Sequence, residues 1–213
     1  MAFCYSYSMS NKKIILIGGA PTTGKSTIAK SLSKRLNLPY ISTDQIRALL
    51  RSVASKEQYP ELFNSSEFDA ERFLTELSAE EIVEMEFRQG EETWAGVRAL
   101  INDCDYEWKD GCIIEGVGII PKMVAKDYRD DPHITALFLG DHNISRMRDA
   151  IYKRGLWDDA HKYGDHLKEK EVEWVSLYGS RLEVEAKRHG FPCIEIQKND
   201  DDIKRVMSII EQN

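Results

Sequence analysis

Residues Gly19-Ala20-Pro21-Thr22-Thr23-Gly24-Lys25-Ser26 fit the phosphate-binding pattern G-x-x-x-x-G-K-[ST] at every fixed position. The glycines let the chain curl until successive N–H groups face phosphate oxygens. Lys25 brings a cation to the outer phosphates, and the Ser26 hydroxyl ligates magnesium. Thr27 opens a stretch with apolar residues at Ile28, Leu32 and Leu36, the spacing of a helix face. Ahead of the loop, Ile14 to Ile17 reads as a short buried strand. Strand, loop and helix therefore come in the order the motif needs, and the helix N-terminus adds partial positive charge to the site. The expected ligand is a nucleoside triphosphate with magnesium.

In a parallel sheet flanked by helices, ligands gather at the carboxyl ends of strands, which singles out Asp44 and Glu115. Asp44 follows the strand-like Leu38 to Thr43 and has the position of a helix cap. It also has the chemistry to take a proton from an acceptor hydroxyl, or to orient it, as a terminal phosphoryl group transfers. Arg47 lies three residues on, on the same helical face, and is expected to bind an anionic group of the acceptor. Arg51 continues that face by one turn. Glu115 closes Cys112-Ile113-Ile114-Glu115 and is expected to hold magnesium through water, with Ser26 as the direct ligand. Gly116 and Gly118 after it would let substrate approach the backbone closely.

A cationic run, Ile144-Ser145-Arg146-Met147-Arg148-Asp149-Ala150-Ile151-Tyr152-Lys153-Arg154, stands out in an acidic chain. Residues 142–166 read as a lid whose arginines would neutralise the charge that phosphoryl transfer spreads over oxygen. Helical spacing groups Arg146 with Lys153 and turns Arg148 away, with Arg154 at the boundary. Arg148 and Arg154 are the catalytic candidates and Arg146 a substrate-binding one. Gln197-Lys198-Asn199-Asp200 lacks the first residue of a guanine-reading [NT]-K-x-D element, and the chain contains no D-x-x-G, so a GTPase switch is disfavoured. That loop is expected beside the base of the nucleotide. His133, His142, His161, His166 and His189 share no spacing with an acid or a cysteine and read as surface or packing residues.

The elements that must hold these residues follow from periodicity. Apolar segments near 14–17, 38–43, 112–115, 134–140 and 191–196 alternate with helical stretches, which predicts a five-stranded parallel sheet covered on both faces. Residues 55–77 lack a sustained period and read as a substrate-side insertion. Ser78 and Glu81 form a capping box for a long helix carrying Val83, Phe87, Trp94, Val97 and Ile101. Helices are also expected at 142–154, at 167–189 ending on Gly190, and from 201 onward. The chain has 213 residues and a formal net charge of −7, which suits one domain over 12–213 and disfavours extended nucleic acid or an anionic membrane as partner. Residues 1–11 lack the basic start and apolar core of a secretory signal and read as a flexible leader. The four scattered cysteines form no metal-ligand spacing, and reduced thiols in a cytoplasm are the default.

Three blocks carry a family resemblance: Gly18 to Ala29, Ser42-Thr43-Asp44-Gln45-Ile46-Arg47, and Ile113-Ile114-Glu115-Gly116-Val117-Gly118-Ile119-Ile120-Pro121. With them the chain resembles the P-loop kinases that include the 2-phosphoglycerate kinases. Polynucleotide 5′-kinases share the Asp-x-x-Arg spacing, and zeta-type toxin kinases are similar at the loop and at Glu115-Gly116. The resemblance implies the three-layer α/β/α sandwich of P-loop NTPases with strand order 2-3-1-4-5, ATP and magnesium at the loop, and an acceptor near Asp44 and Arg47. The implied activity is transfer of the γ-phosphoryl group of Mg·ATP to a small anionic acceptor, one like 2-phosphoglycerate. The alternatives are a nucleotide, polynucleotide or nucleotide-sugar kinase and, from another class, an ATP-binding regulator without transfer.

Overall fold

Alternation along β1 (Lys13–Gly19) sets the layering, because successive side chains of a strand point to opposite faces. In a computed structural model, which describes residues 12–65, 68–102, 108–154 and 162–212, Ile14 and Leu16 enter one core and Ile15 and Ile17 the other. β1 pairs in parallel with β3 (Gly111–Gly116) on one side and β4 (Ile134–Gly140) on the other. β2 (Tyr40–Ser42) and β5 (Cys193–Glu195) form the edges, completing the order β2-β3-β1-β4-β5. This is the expected 2-3-1-4-5 sheet. The central strands β1, β3 and β4 are buried on both faces and read as near-continuous apolar runs for that reason.

One face is covered by α1 (Lys25–Leu36) and α9 (Asp200–Gln212), through Ile28, Leu32, Val206 and Ile210. The other face is covered mainly by α5 (Ala79–Asn102) and α8 (Asp165–Arg188). The capping box opens α5: the Ser78 N–H donates to Glu81 at 2.8 Å and the Glu81 N–H to the Ser78 hydroxyl at 3.2 Å. Gly90 and Gly96 leave its helix unbroken. A Cβ on Gly96 would lie 2.5 Å from Ile46 Cγ2, so the missing side chain lets α5 pack closely on α2 (Thr43–Val53). The apolar stripe Val172, Val175, Tyr178 and Leu182 of α8 is buried as its spacing predicts. α6 (Pro121–Tyr128) and α7 (Ile144–Arg154) also pack on that side, through Val124, Met147 and Ile151.

One local expectation gains detail and another is revised. Residues 55–77 contain the short helices α3 (Pro60–Asn64) and α4 (Ala70–Glu76), too brief to show a period; Pro60 begins the first and Asp69 caps the second. The cap of α2 is Ser42, not Asp44: Ser42 and Gln45 form a reciprocal capping box that stabilises the helix by about 1 kcal/mol. Asp44 is thereby released from the capping task. Residues 1–11, two residues of the insertion (66–67), the segment 155–161 and the Arg154 side chain lie outside the described residues.

The junction of β3 with α2 admits no side chain. Gly116 has φ +150°, and a Cβ there would lie 1.9 Å from Thr43 Oγ1 and 3.1 Å from the Thr43 backbone nitrogen. The Gly118 N–H donates to Thr43 Oγ1 at 3.2 Å. The close approach expected at Gly116 and Gly118 is therefore made by Thr43 of the protein itself. Gly116→Ala should lower stability by about 2 kcal/mol or more, through overpacking and a strained φ. A fall in the urea midpoint at unchanged slope would show it; an unshifted midpoint would contradict this packing.

Candidate functional site

The chain leaves β1 at Gly19 and turns through Thr22 (φ 69°) and Gly24 (φ 88°) into α1. Nothing lies within 4 Å of a Cβ built on Gly24, so its backbone angle, not lack of room, calls for glycine there. The turn is braced from inside, where the Thr23 hydroxyl donates to the Ala20 carbonyl at 2.8 Å. Lys25 Nζ donates to the same carbonyl at 2.7 Å, which folds the ammonium back over the loop. The N-terminus of α1 has no side-chain cap. Its first amides are thus left for an anionic ligand, and phosphate oxygens suit them.

Parallel pairing sets Glu115 beside Ile17, just before the loop. There Ser26 Oγ donates to Glu115 Oε1 at 2.9 Å. Burial pushes the Glu115 carboxyl above its ordinary value, against the opposing pull of Lys25 and the Ser26 hydrogen bond. A hydroxyl and a carboxylate in contact are hard oxygen donors of the kind magnesium takes, with water supplying its other positions. The pair therefore fits the cation. When bound, magnesium would neutralise charge on the triphosphate.

The same open cleft, with a volume of about 1480 Å³, runs from the loop to Asp44, Arg47 and Arg51 on α2. Asp44 is exposed and Arg47 largely covered, and Arg47 NH2 donates to Asp44 Oδ1 at 2.9 Å. Arg47 NH1 donates to Gln89 Oε1 on α5 at 2.8 Å and stands 3.6 Å from Glu86 Oε2. Burial pushes the Glu86 carboxyl up, opposed by Arg47. Arg51 hydrogen-bonds the Leu62 carbonyl and, at 2.8 Å, the Ser65 hydroxyl, which ties α2 to the end of α3. Phe68, Phe73 and Trp174 supply apolar surface around this end of the cleft.

Sequence reasoning missed Glu86, Gln89 and Trp174. A signal existed for two of them, since Glu86, Gln89 and Thr93 put polar groups on helix positions whose neighbours in α5 are apolar and buried. Trp174 gave none, because an aromatic residue on a buried helix face is ordinary core.

Two of the arginines expected in the lid, Arg146 and Arg148, are engaged by acids of the protein itself. Arg146 pairs with the buried Asp141 at 2.6 Å and donates to the Ile196 carbonyl at 2.9 Å, so it fastens α7 to the end of β5. Arg148 is bound to Glu169 of α8 by two hydrogen bonds, at 2.8 and 3.0 Å. Neither lines the cleft in this conformation. The segment after Arg154 lies outside the described residues, as does His161. Lys198 and Asn199 line the cleft's far end, where Asp202 accepts the Gln197 and Asn199 N–H groups at 3.0 and 3.2 Å. His142 contacts Glu183 and Glu195 on the surface.

A strand-loop-helix phosphate cradle, an acid at the end of the neighbouring strand and a charged helix opposite are thus joined in one cleft. The family model of the cytidylate kinase-like family matches residues 14–163. The chain belongs to the cytidylate kinase-like family. Relatives named 2-phosphoglycerate kinase include those of Methanocaldococcus jannaschii, 28% identical over 93% of this chain, and Methanothermobacter thermautotrophicus, 30% identical over 93%. The chain covers 63% and 64% of those two relatives, less than two thirds of their length. Among solved structures, a shikimate kinase of Acinetobacter baumannii superposes with TM-score 0.54 at 13% identity, covering 96% of each chain. A Thermus thermophilus protein, TT1252, superposes with TM-score 0.52 at 18% identity, covering 95% of this chain and 97% of its own. These two likenesses concern the fold alone.

Because the folded-state carboxyl of Glu115 is raised above 4.5, its contribution to stability is fully present below that pH and is lost as pH rises through the raised value. Glu115→Gln removes that loss, so at neutral pH the nucleotide-free variant should melt no lower than the wild type. The extra rise in melting temperature that magnesium adds to ATP should shrink in the variant. Thermal unfolding with ATP, with and without the metal, reads both effects; an unchanged magnesium increment would remove Glu115 from the metal site.

Proposed function

We propose that this chain is an ATP-dependent phosphotransferase that moves the γ-phosphoryl group of Mg·ATP to a hydroxyl of a small anionic acceptor. The observation that carries this reading is the shared cleft: the Lys25 loop and the Ser26–Glu115 pair at one place, Asp44 and Arg47 at another. The loop amides and Lys25 hold the triphosphate, and Lys198 and Asn199 border its base. Arg47 and Arg51 receive the acceptor's anionic group, and Asp44 receives its hydroxyl. The hydroxyl oxygen bonds to the γ-phosphorus as the bond from that phosphorus to the bridging oxygen breaks. ADP leaves and the proton passes to Asp44.

The relatives named 2-phosphoglycerate kinase make a 2-phosphoglycerate-like acceptor the first to test. An open, partly apolar acceptor end also accommodates larger molecules, so a screen should include cytidine monophosphate, a 5′-hydroxyl oligonucleotide and a nucleotide sugar. ADP release above the acceptor-free background is the readout, and release confined to the oligonucleotide would overturn the small-acceptor reading. Asp44→Asn should lower kcat by roughly 100-fold or more while ATP affinity stays within about twofold. Equal turnover by variant and wild type would exclude Asp44 as the proton acceptor. An ATP-binding regulator without transfer predicts no acceptor-dependent ADP release by either protein.

A further inference from the structure

Gln89 is an unusual residue for its place. It is 1% exposed, in the middle of α5 and among apolar side chains, where a primary amide is costly unless both its ends are satisfied. Its carbonyl end accepts Arg47 NH1 at 2.8 Å. The orientation is forced, because a guanidinium has only donors to offer and the amide must turn its oxygen toward it. The amino end then faces away, and Gln89 Nε2 has no hydrogen-bond partner among the described residues. Leaving a buried N–H unpaired opposes folding, so what the side chain does for the protein lies in its hold on Arg47.

The three groups around Arg47 differ in what they do to its charge. Asp44 and Glu86 are acids that offset it, at 2.9 and 3.6 Å. Gln89 is neutral and fixes the direction of the guanidinium without cancelling its charge. A guanidinium held by a neutral acceptor on one edge keeps its field for an incoming anion and gives up little side-chain freedom when that anion binds. Arg51, the neighbouring cation of the cleft, is held in a similar way, by the Leu62 carbonyl and the Ser65 hydroxyl.

We infer that Gln89 is the positioning residue of the acceptor site, pinning Arg47 in the orientation that receives the acceptor's anionic group. The inference rests on the proposed transfer reaction and adds to it a residue that touches neither ATP nor the acceptor. It separates two consequences that a merely structural glutamine would join, stability and acceptor recognition. Gln89→Met keeps the length and nearly the volume of the side chain while removing both the pin and the unpaired N–H. Gln89→Glu keeps an acceptor facing Arg47 but adds the charge that competes with the substrate.

The test is steady-state kinetics of the full chain with Mg·ATP and D-2-phosphoglycerate, or whichever compound of the screen the wild type phosphorylates, beside thermal unfolding of each variant. Gln89→Met should raise the acceptor KM roughly tenfold or more, with the ATP KM within about twofold and the melting temperature not lowered. Gln89→Glu should raise the acceptor KM as well, at retained stability. An acceptor KM unchanged in both variants overturns the inference while leaving the transfer reaction standing, and so does an equal rise in the KM values of acceptor and ATP. Absence of acceptor-dependent ADP release by the wild type overturns the reaction, and the inference with it.

Discussion

The site depends on how closely β3 and α2 approach one another. Thr43 sits where a side chain on residue 116 would otherwise be and closely against Gly118, whose N–H its hydroxyl accepts. That contact joins two halves of the chemistry that the chain carries on separate elements. Glu115 ends β3 and meets Ser26 of the phosphate loop; Asp44 follows Thr43 at the start of α2. With a larger residue at 116, the helix bearing Asp44 and Arg47 would have to move away from the strand bearing Glu115. The proposed transfer would tolerate little displacement, since reacting groups must meet within a few tenths of an ångström.

Charge in the cleft is arranged in pairs that an anionic ligand can exchange. Lys25 rests on a carbonyl of its own loop, Arg47 on Asp44 and Gln89, and Arg51 on Leu62 and Ser65. Each cation is held in place before any ligand arrives, and most of the partners are neutral oxygens. Neutral partners fix direction without consuming charge, so the electrostatic attraction remains for phosphate or carboxylate. Two acids of the cleft, Glu115 and Glu86, are each raised by burial, and each lies near a cation. Acids so placed respond to a change in the charge next to them, which is what nucleotide, metal or acceptor brings.

The arginines of α7 have partners that their spacing does not show. A dense run of cations in an acidic chain reads as a catalytic lid, yet Arg146 closes on Asp141 only five residues before it and Arg148 on Glu169 in the next helix. Both interactions fasten α7 in place. On α5 the opposite holds, where Glu86 and Gln89 are hidden in what reads as a core helix. Charge density along a chain says little about where the charges end up, because partners lie on other elements. The cap of α2 falls two residues before the expected one, since a capping box is local and Ser42-x-x-Gln45 competes with Asp44 within one turn.

What the sequence determined by itself was everything that neighbouring residues decide together. The phosphate loop is eight consecutive residues whose φ angles and amides act over one turn, and the strands announce themselves because burial on both faces demands unbroken apolar runs. From these came the layered sheet, its strand order through family resemblance, and the placing of Lys25, Ser26, Asp44 and Glu115 at its carboxyl edge. Tertiary structure alone decided which side chains meet across the cleft. Arg47 reaches Gln89 across 42 residues, and no pattern in the chain links the two. Such contacts depend on how closely two elements pack and which way each helix is rotated, and those are set by the whole core at once.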